Sequence, residues 1–425
     1  MRSHVNHTDR LTGGDGRLAG PTGFARSVTN MLDPGAPGVG LAAVLFLSTL
    51  TGVQGQSPGS SSAASSAPAS DPEVVTMLER IREKHDVPGM IGAVLVGDRV
   101  TRIGAAGVRK AGAAEKISID DRMHLGSCTK AMTATLIGIL VEEGKLSWTT
   151  TIGETFPDLK ERMHADYRNV TLEQLLAHRG GVPTDLDADG LWGRLWRHTG
   201  TPTEQRRTLL EGVVCKAPAV APGKEYQYSN GGYAIAGHIA EHIVGKSWET
   251  LMQERLFKPL GITTAGFGAP GDAGKIDAPW GHRGRKGALT PMPPVRGSDN
   301  PPAIGPAGTV HMSVGDWAKF VAVHTSGSKR PHPLLKPATV EKLRTPPPGA
   351  DYALGWIVAS RDWGGRVLTH AGSNTMWYCV TWASPEKDFA VLVACNAAHD
   401  AAPKACDEAA WELIQLVRSG NGPSP

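Results

Sequence analysis

A chain of 425 residues is long enough to bury a large core in one or two domains. Charged residues make up 20% of it and the net charge is +3, which argues against nucleic-acid binding as its main business. Five cysteines without a Cys-x-x-Cys spacing disfavour a zinc knuckle or a dense disulfide scaffold.

The N-terminal region reads as a targeting segment. Residues Val39 to Val53, "VGLAAVLFLSTLTGV", are apolar and uncharged. The stretch is short for a membrane span and right for a signal-peptide core, with Arg26 upstream and small residues Gly52 at its end and Gly55 just after it. Met31 is an alternative start, and an uncleaved anchor is the alternative to cleavage. "SPGSSSAASSAPAS" (57–70) has the composition of a flexible linker. Residues 1–70 are therefore set apart from the fold, and an exported location, periplasmic or secreted, is expected. Residues 71–417 read as one globular unit without internal repeats, and 418–425 as a disordered tail.

Within that unit, "DPEVVTMLERIREKH" (71–85) predicts an amphipathic helix capped by Asp71. "GMIGAVLVGDRVTRIGAAGV" (89–108) predicts two strands around a Gly-Asp turn. A helix rich in apolar residues follows from about Met132 to Gly144. Helices are expected near 171–178, 203–213, 230–245, 247–256 and 313–325, separated by long Gly/Pro loops. "YALGWIVA", "RVLTHAG", "TMWYCVTWA" and "FAVLVACN" predict strands, and a helix closes the unit at 405–418. Strands thus stand at both ends of the chain. The economical arrangement is an α+β fold: one antiparallel sheet from about 86–125 and 350–400, flanked by helices, with a mostly helical lobe inserted at about 146–340. Cys379 and Cys395 fall on two successive strands, and a disulfide between them is a candidate that export would permit.

Ser127 and Lys130 lie three residues apart at the start of the apolar helix, on one face, roughly 5–6 Å apart at their Cβ atoms. A serine there is a cap or a nucleophile. A capping box would place Glu or Gln where Lys130 stands, and a cation is unfavourable beside the positive end of a helix. That anomaly directs attention to possible partners. "PGKEYQYSNGGYAIAGHIAEHI" (222–243) places Tyr228-Ser229-Asn230 before a helix. "RVLTHAGSNTMWY" (366–378) places His370-Ala371-Gly372-Ser373 on a strand whose small residues allow close approach of a substrate backbone.

Together these three elements resemble the penicillin-recognising serine hydrolases: class C β-lactamases, D-alanyl-D-alanine carboxypeptidases and their esterase and aminopeptidase relatives. "LLAHRGGVP" (175–183), "LFKPLGI" (256–262), "PAGTVHMSVGDWAKF" (306–320) and "YALGWIV" (352–358) extend the similarity, in the family's order, over nearly all of 71–417. The resemblance implies a β-lactamase/transpeptidase-like fold and an acyl-enzyme mechanism without a cofactor. Ser127 would be the nucleophile, and Lys130 and Tyr228 would share the proton work, with the first base left open between them. Proximity to Lys130 would favour a Tyr228 phenolate. Asn230, His370, Gly372 and Ser373 would contact substrate, and the backbone amides of Ser127 and Ser373 would form the oxyanion hole.

Two departures stand out. His370 replaces the lysine of class C β-lactamases, and a histidine holds a carboxylate less firmly at neutral pH. Arg179 stands where small hydroxyl residues are common, as a surface residue or an anion contact. The expected substrate is therefore a small ester, a D-amino-acid or peptidoglycan-like peptide, ahead of a β-lactam. A penicillin or peptidoglycan sensor that acylates and stalls is the non-enzymatic alternative. "HIAEH" also matches a zinc-peptidase pattern through His238, Glu241 and His242, but no third protein ligand is evident.

Overall fold

The computed structural model describes residues 69–325 and 333–420. The stretch 39–53, the linker up to residue 68 and the last five residues lie outside the described residues.

Helix α1 (Pro72–His85) opens the fold. Asp71 caps it by accepting from the Glu73 and Val74 amides. Strands β1 (Gly89–Val96) and β2 (Arg99–Gly107) form the expected hairpin. Strand β3 (Arg122–His124) leads through a 3₁₀ turn (Gly126–Cys128) into α2 (Thr129–Glu142). The lobe that follows contains α3 (Pro202–Val214), α4 (Asn230–Val244) and several shorter helices. It also carries β4 (Gly266–Phe267), the hairpin β5 (Gly281–Arg285) and β6 (Ala288–Met292), and β7 (Val310–Ser313). Helix α5 (Val314–Thr325) returns the chain to the sheet. Strands β8 (Ile357–Arg361), β9 (Gly365–Ser373), β10 (Tyr378–Ser384) and β11 (Phe389–Cys395) complete it, and α6 (Ala402–Arg418) ends it.

The main sheet has six antiparallel strands in the order β2-β1-β11-β10-β9-β8, so the two ends of the chain meet at the β1–β11 pair. Both central strands are apolar throughout because both faces are covered. Ile91, Ala93, Leu392 and Ala394 belong to the large core that runs through α2 and α5 into the lobe. Met90, Val94, Val391 and Val393 face the smaller core under α1 and α6. This is the expected α+β arrangement with an inserted, mostly helical lobe.

Four details differ from expectation. Strand β3 is not part of the main sheet but of a small one ordered β3-β7-β4. The stretch around 352–359 is extended only from Ile357, Tyr352 making an isolated bridge to it. The expected helix at 247–256 is one α-turn, Trp248–Leu251, continued as a π-turn to Phe257. Finally, Cys379 and Cys395 do not form a pair. Cys379 lies opposite Ala394 and Cys395 opposite Tyr378, so strand alternation puts the two thiols in different cores. All five cysteines are free, and the close sulfur neighbours are Cys128–Cys379 and Cys395–Cys406, each 3.6 Å apart.

Candidate active site

The turn that holds Ser127 requires glycine on both sides of the contact it makes. Gly126 has a φ of +46°, and a Cβ there would collide with the amide nitrogen of Ser373. A Cβ on Gly372 would collide with the Leu125 carbonyl. These two glycines let the 3₁₀ turn lie against the end of β9, bringing the Ser127 and Ser373 backbones together. Cys128 is buried on the other side, against Cys379 and the His370 carbonyl.

The half-buried Ser127 hydroxyl sits between two side chains. Lys130 Nζ donates to its Oγ at 2.9 Å, and the Tyr228 hydroxyl donates to the same oxygen at 2.9 Å. Lys130 is fully buried and also donates to Asn230 Oδ1 and the Ala307 carbonyl, each at 2.8 Å. Its three acceptors are all neutral. Burial therefore lowers the amine to about 7, the only opposing influence being the Cys128 sulfur. Burial moves Tyr228 the other way, well above the ordinary phenol value, with the Ser127 hydroxyl opposing it in part. This corrects the expectation that Lys130 favours a Tyr228 phenolate: a group that keeps its proton sits opposite one that can lose it near neutrality.

The segment before α4 fixes Tyr228 and Asn230. Ser229 caps α4, with its Oγ accepting from the Gly232 amide at 3.3 Å. The same hydroxyl donates to the Pro183 carbonyl at 2.7 Å, and Thr184 Oγ1 donates to the Tyr228 carbonyl at 2.5 Å. The Ser229 amide donates to His178 Nδ1 at 3.1 Å, and the His178 ring lies 4.3 Å from the Tyr228 ring. His178 takes a left-handed backbone, φ +56°, and burial holds its imidazole well below the ordinary value.

On the other wall, both ring nitrogens of His370 have partners. Nδ1 lies 2.6 Å from the Ala371 carbonyl and Nε2 lies 3.2 Å from the Tyr352 hydroxyl. A carbonyl only accepts, so Nδ1 carries a proton, and the Tyr352 hydroxyl is the partner of Nε2. Arg179 is likewise engaged: its Nη1 donates to the Lys224 carbonyl at 2.9 Å.

The family model described as Beta-lactamase matches residues 74–415. The chain belongs to the beta-lactamase family. Penicillin-binding protein 4 of Amycolatopsis lactamdurans is 28% identical over 254 residues, 60% of this chain and 64% of that protein. The chain spans about two thirds of the length of the curated relatives it matches, or slightly less. Among solved structures, the octameric penicillin-binding protein homologue from Pyrococcus abyssi superposes with a TM-score of 0.66 at 24% identity, over 81% of this chain and 77% of that one. A D-stereospecific amidohydrolase from Streptomyces sp. superposes with a TM-score of 0.63 at 21% identity, over 79% and 98%. At those identities the two structures establish the shared fold.

Within this beta-lactamase-family chain, the geometry gathers Ser127, Lys130, Tyr228, Asn230, His370, Gly372 and Ser373 around the turn at Gly126–Cys128. It does not bring the zinc-peptidase pattern there. Glu241 is committed to Arg206, His238 and the Trp248 amide, and His238 and His242 both pack against Phe156. Sequence reasoning missed the parts played by His178 and Tyr352. Both fall inside stretches that carry the family resemblance, but nothing local shows that one buttresses Tyr228 and the other occupies His370.

Proposed function

We propose that the protein is a serine hydrolase that cleaves esters and D-amino-acid amides through an acyl-enzyme, in preference to β-lactams. The observation that carries this reading is the Ser127 hydroxyl held at 2.9 Å from both a buried lysine lowered to about 7 and a phenol raised by burial. Neutral Lys130 takes the Ser127 proton as Oγ attacks the substrate carbonyl. The Ser127 and Ser373 amides receive the oxyanion. Tyr228, still protonated, passes its proton to the leaving oxygen or nitrogen, and the proton that Lys130 took from Ser127 restores it. Water then repeats the attack on the ester. Asn230 keeps Lys130 aimed through its Oδ1 and offers its NH₂ to the acyl-side amide of a peptide substrate.

The preference among substrates rests on His370. With Nδ1 on the Ala371 carbonyl and Nε2 on the Tyr352 hydroxyl, it is already engaged and holds less firmly the carboxylate that β-lactams and D-Ala peptides carry. Arg179, tied to Lys224, does not replace it. Esters and amides without that carboxylate therefore fit best. The apolar stretch 39–53 supports an exported location, where such peptides and esters would be met.

Intact mass after brief incubation with benzylpenicillin, run beside p-nitrophenyl ester turnover, tests the reading. Fast ester turnover without a lasting adduct is expected, and Ser127→Ala should lose it by roughly 10⁵-fold or more with the fold retained. A persistent penicilloyl adduct with little ester turnover would replace the hydrolase by a stalled penicillin sensor. Unchanged turnover in Ser127→Ala would remove the nucleophile altogether.

A further inference from the structure

We infer that Asp299, through His124 and Asn374, is a positioning residue that sets the two backbone amides of the oxyanion hole. The inference rests on the proposed function and deepens it. Asp299 belongs to the loop between β6 and the 3₁₀ turn at Pro302–Ile304, far in sequence from every residue assigned to the reaction. Its carboxylate is nevertheless buried beside them, as are His124 and Asn374. Oδ2 lies 2.8 Å from His124 Nε2, and Oδ1 accepts from Asn374 Nδ2 at 2.9 Å and from the Asn300 amide at 2.7 Å.

The two arms end at the two oxyanion donors. His124 Nδ1 accepts the Gly126 amide at 3.1 Å, one peptide before the Ser127 amide, and Trp377 stacks on the ring at 5.5 Å. Asn374 follows Ser373 directly, and its Oδ1 accepts the Met376 and Trp377 amides, each at 3.2 Å. A carboxylate only accepts hydrogen bonds, so it dictates the orientation of both partners. The imidazole must turn N–H to Asp299 and a lone pair to Gly126. The Asn374 amide must turn NH₂ to Asp299 and oxygen to the 376–377 turn. One acceptor-only group thereby holds the nucleophile turn and the end of β9 in a single register.

Asparagine at 299 breaks that logic without changing the size of the side chain. Its NH₂ must face either the His124 N–H or the donors on the Oδ1 side. If the imidazole changes tautomer to escape, it turns N–H against the Gly126 N–H. In the full chain, Asp299→Asn should lower kcat for a p-nitrophenyl ester by about 10- to 100-fold, short of deleting a donor outright, with KM within about twofold. Phenylboronic acid, whose adduct with Ser127 is tetrahedral, should bind more weakly by the same factor. The planar carboxylic acid product should inhibit as before. His124→Asn is the companion variant: its Oδ1 can still accept the Gly126 amide but gives up Asp299. It should lose activity in the same direction, and the double variant should be no worse than Asp299→Asn.

If Asp299→Asn does not fold, the His124→Asn result decides. A kcat within about twofold of the starting protein, or boronate and product affinities that weaken together, would overturn the positioning role. An unmodified protein that turns over no ester or amide would remove the proposed function and this inference with it. An active protein with unaffected variants removes this inference alone.

Discussion

Among the described residues, the cations Lys130 and Arg206 have no exposed surface, and they have opposite fates. Arg206, inside the helical lobe, is gripped by two carboxylates: Glu241 at 2.5 and 3.0 Å and Glu249 at 2.8 and 3.0 Å, with the Pro302 carbonyl beside them. It stays charged, its pKa raised despite the burial that opposes it. Glu241 is pushed up by burial, but His238 and Arg206 hold it down at about 2. Lys130, at the mouth of α2, has a hydroxyl, an amide oxygen and a carbonyl for company, and falls to about 7. Equal burial thus gives an inert clamp where carboxylates answer the charge and a titratable base where none does. The presence or absence of a counter-ion, more than depth, separates the structural cluster from the reactive one.

Retaining the charge of Lys130 breaks that contrast with the largest expected effect. In Lys130→Arg the guanidinium stays protonated near neutral pH, so the base disappears while a cation remains. Ester kcat/KM should fall by roughly 10²–10⁴-fold, the usual worth of a positioned proton acceptor. The unmodified protein should show a limb in kcat/KM that rises with pH through about 7, as the lysine loses its proton. A profile flat across that range, or an arginine variant of full activity, would show that Lys130 is not the base.

The matching change in the lobe acts on stability. Glu241→Gln leaves Arg206 with part of its charge unanswered, which should cost about 3–5 kcal/mol in denaturant unfolding. The kcat of the molecules that remain folded should not change. The sign of the pH dependence follows from the carboxyl's direction. Glu241 titrates lower in the folded chain than in the unfolded one, so its contribution is complete above the ordinary glutamate value and is lost as pH falls towards about 2. The gap between the two proteins should therefore narrow on acidification. A gap independent of pH would mean that Glu241 acts by shape alone.

What was legible in the sequence follows the range of the interactions. Ser127 and Lys130 are one helical turn apart, and Tyr228 and Asn230 flank a helix cap, so local spacing and family order together exposed them. The central strands were legible because two covered faces demand unbroken apolar runs. The cysteine pairing failed on register: two residues on neighbouring strands share a face only if the ladder aligns them, and here it is offset by one. Whether Lys130 or Tyr228 takes the first proton depends on burial and counter-ions gathered from distant segments. Asp299 was invisible for the same reason, since a loop aspartate among prolines and glycines carries no local sign of His124 or Asn374.

The smallest expected effect concerns the wall opposite Lys130. Tyr352→Phe removes the hydroxyl that occupies His370 Nε2 and that also bonds Tyr233, at a cost of about 1 kcal/mol per lost hydrogen bond. Ester turnover should stay within about threefold, because no proton in that reaction passes through Tyr352. His370 Nε2 would then be free to meet a substrate carboxylate. Acylation by benzylpenicillin should accordingly speed up by about threefold or more. Stopped-flow mass labelling of Ser127 measures this directly. No acceleration would mean that something other than Tyr352 denies His370 to the carboxylate.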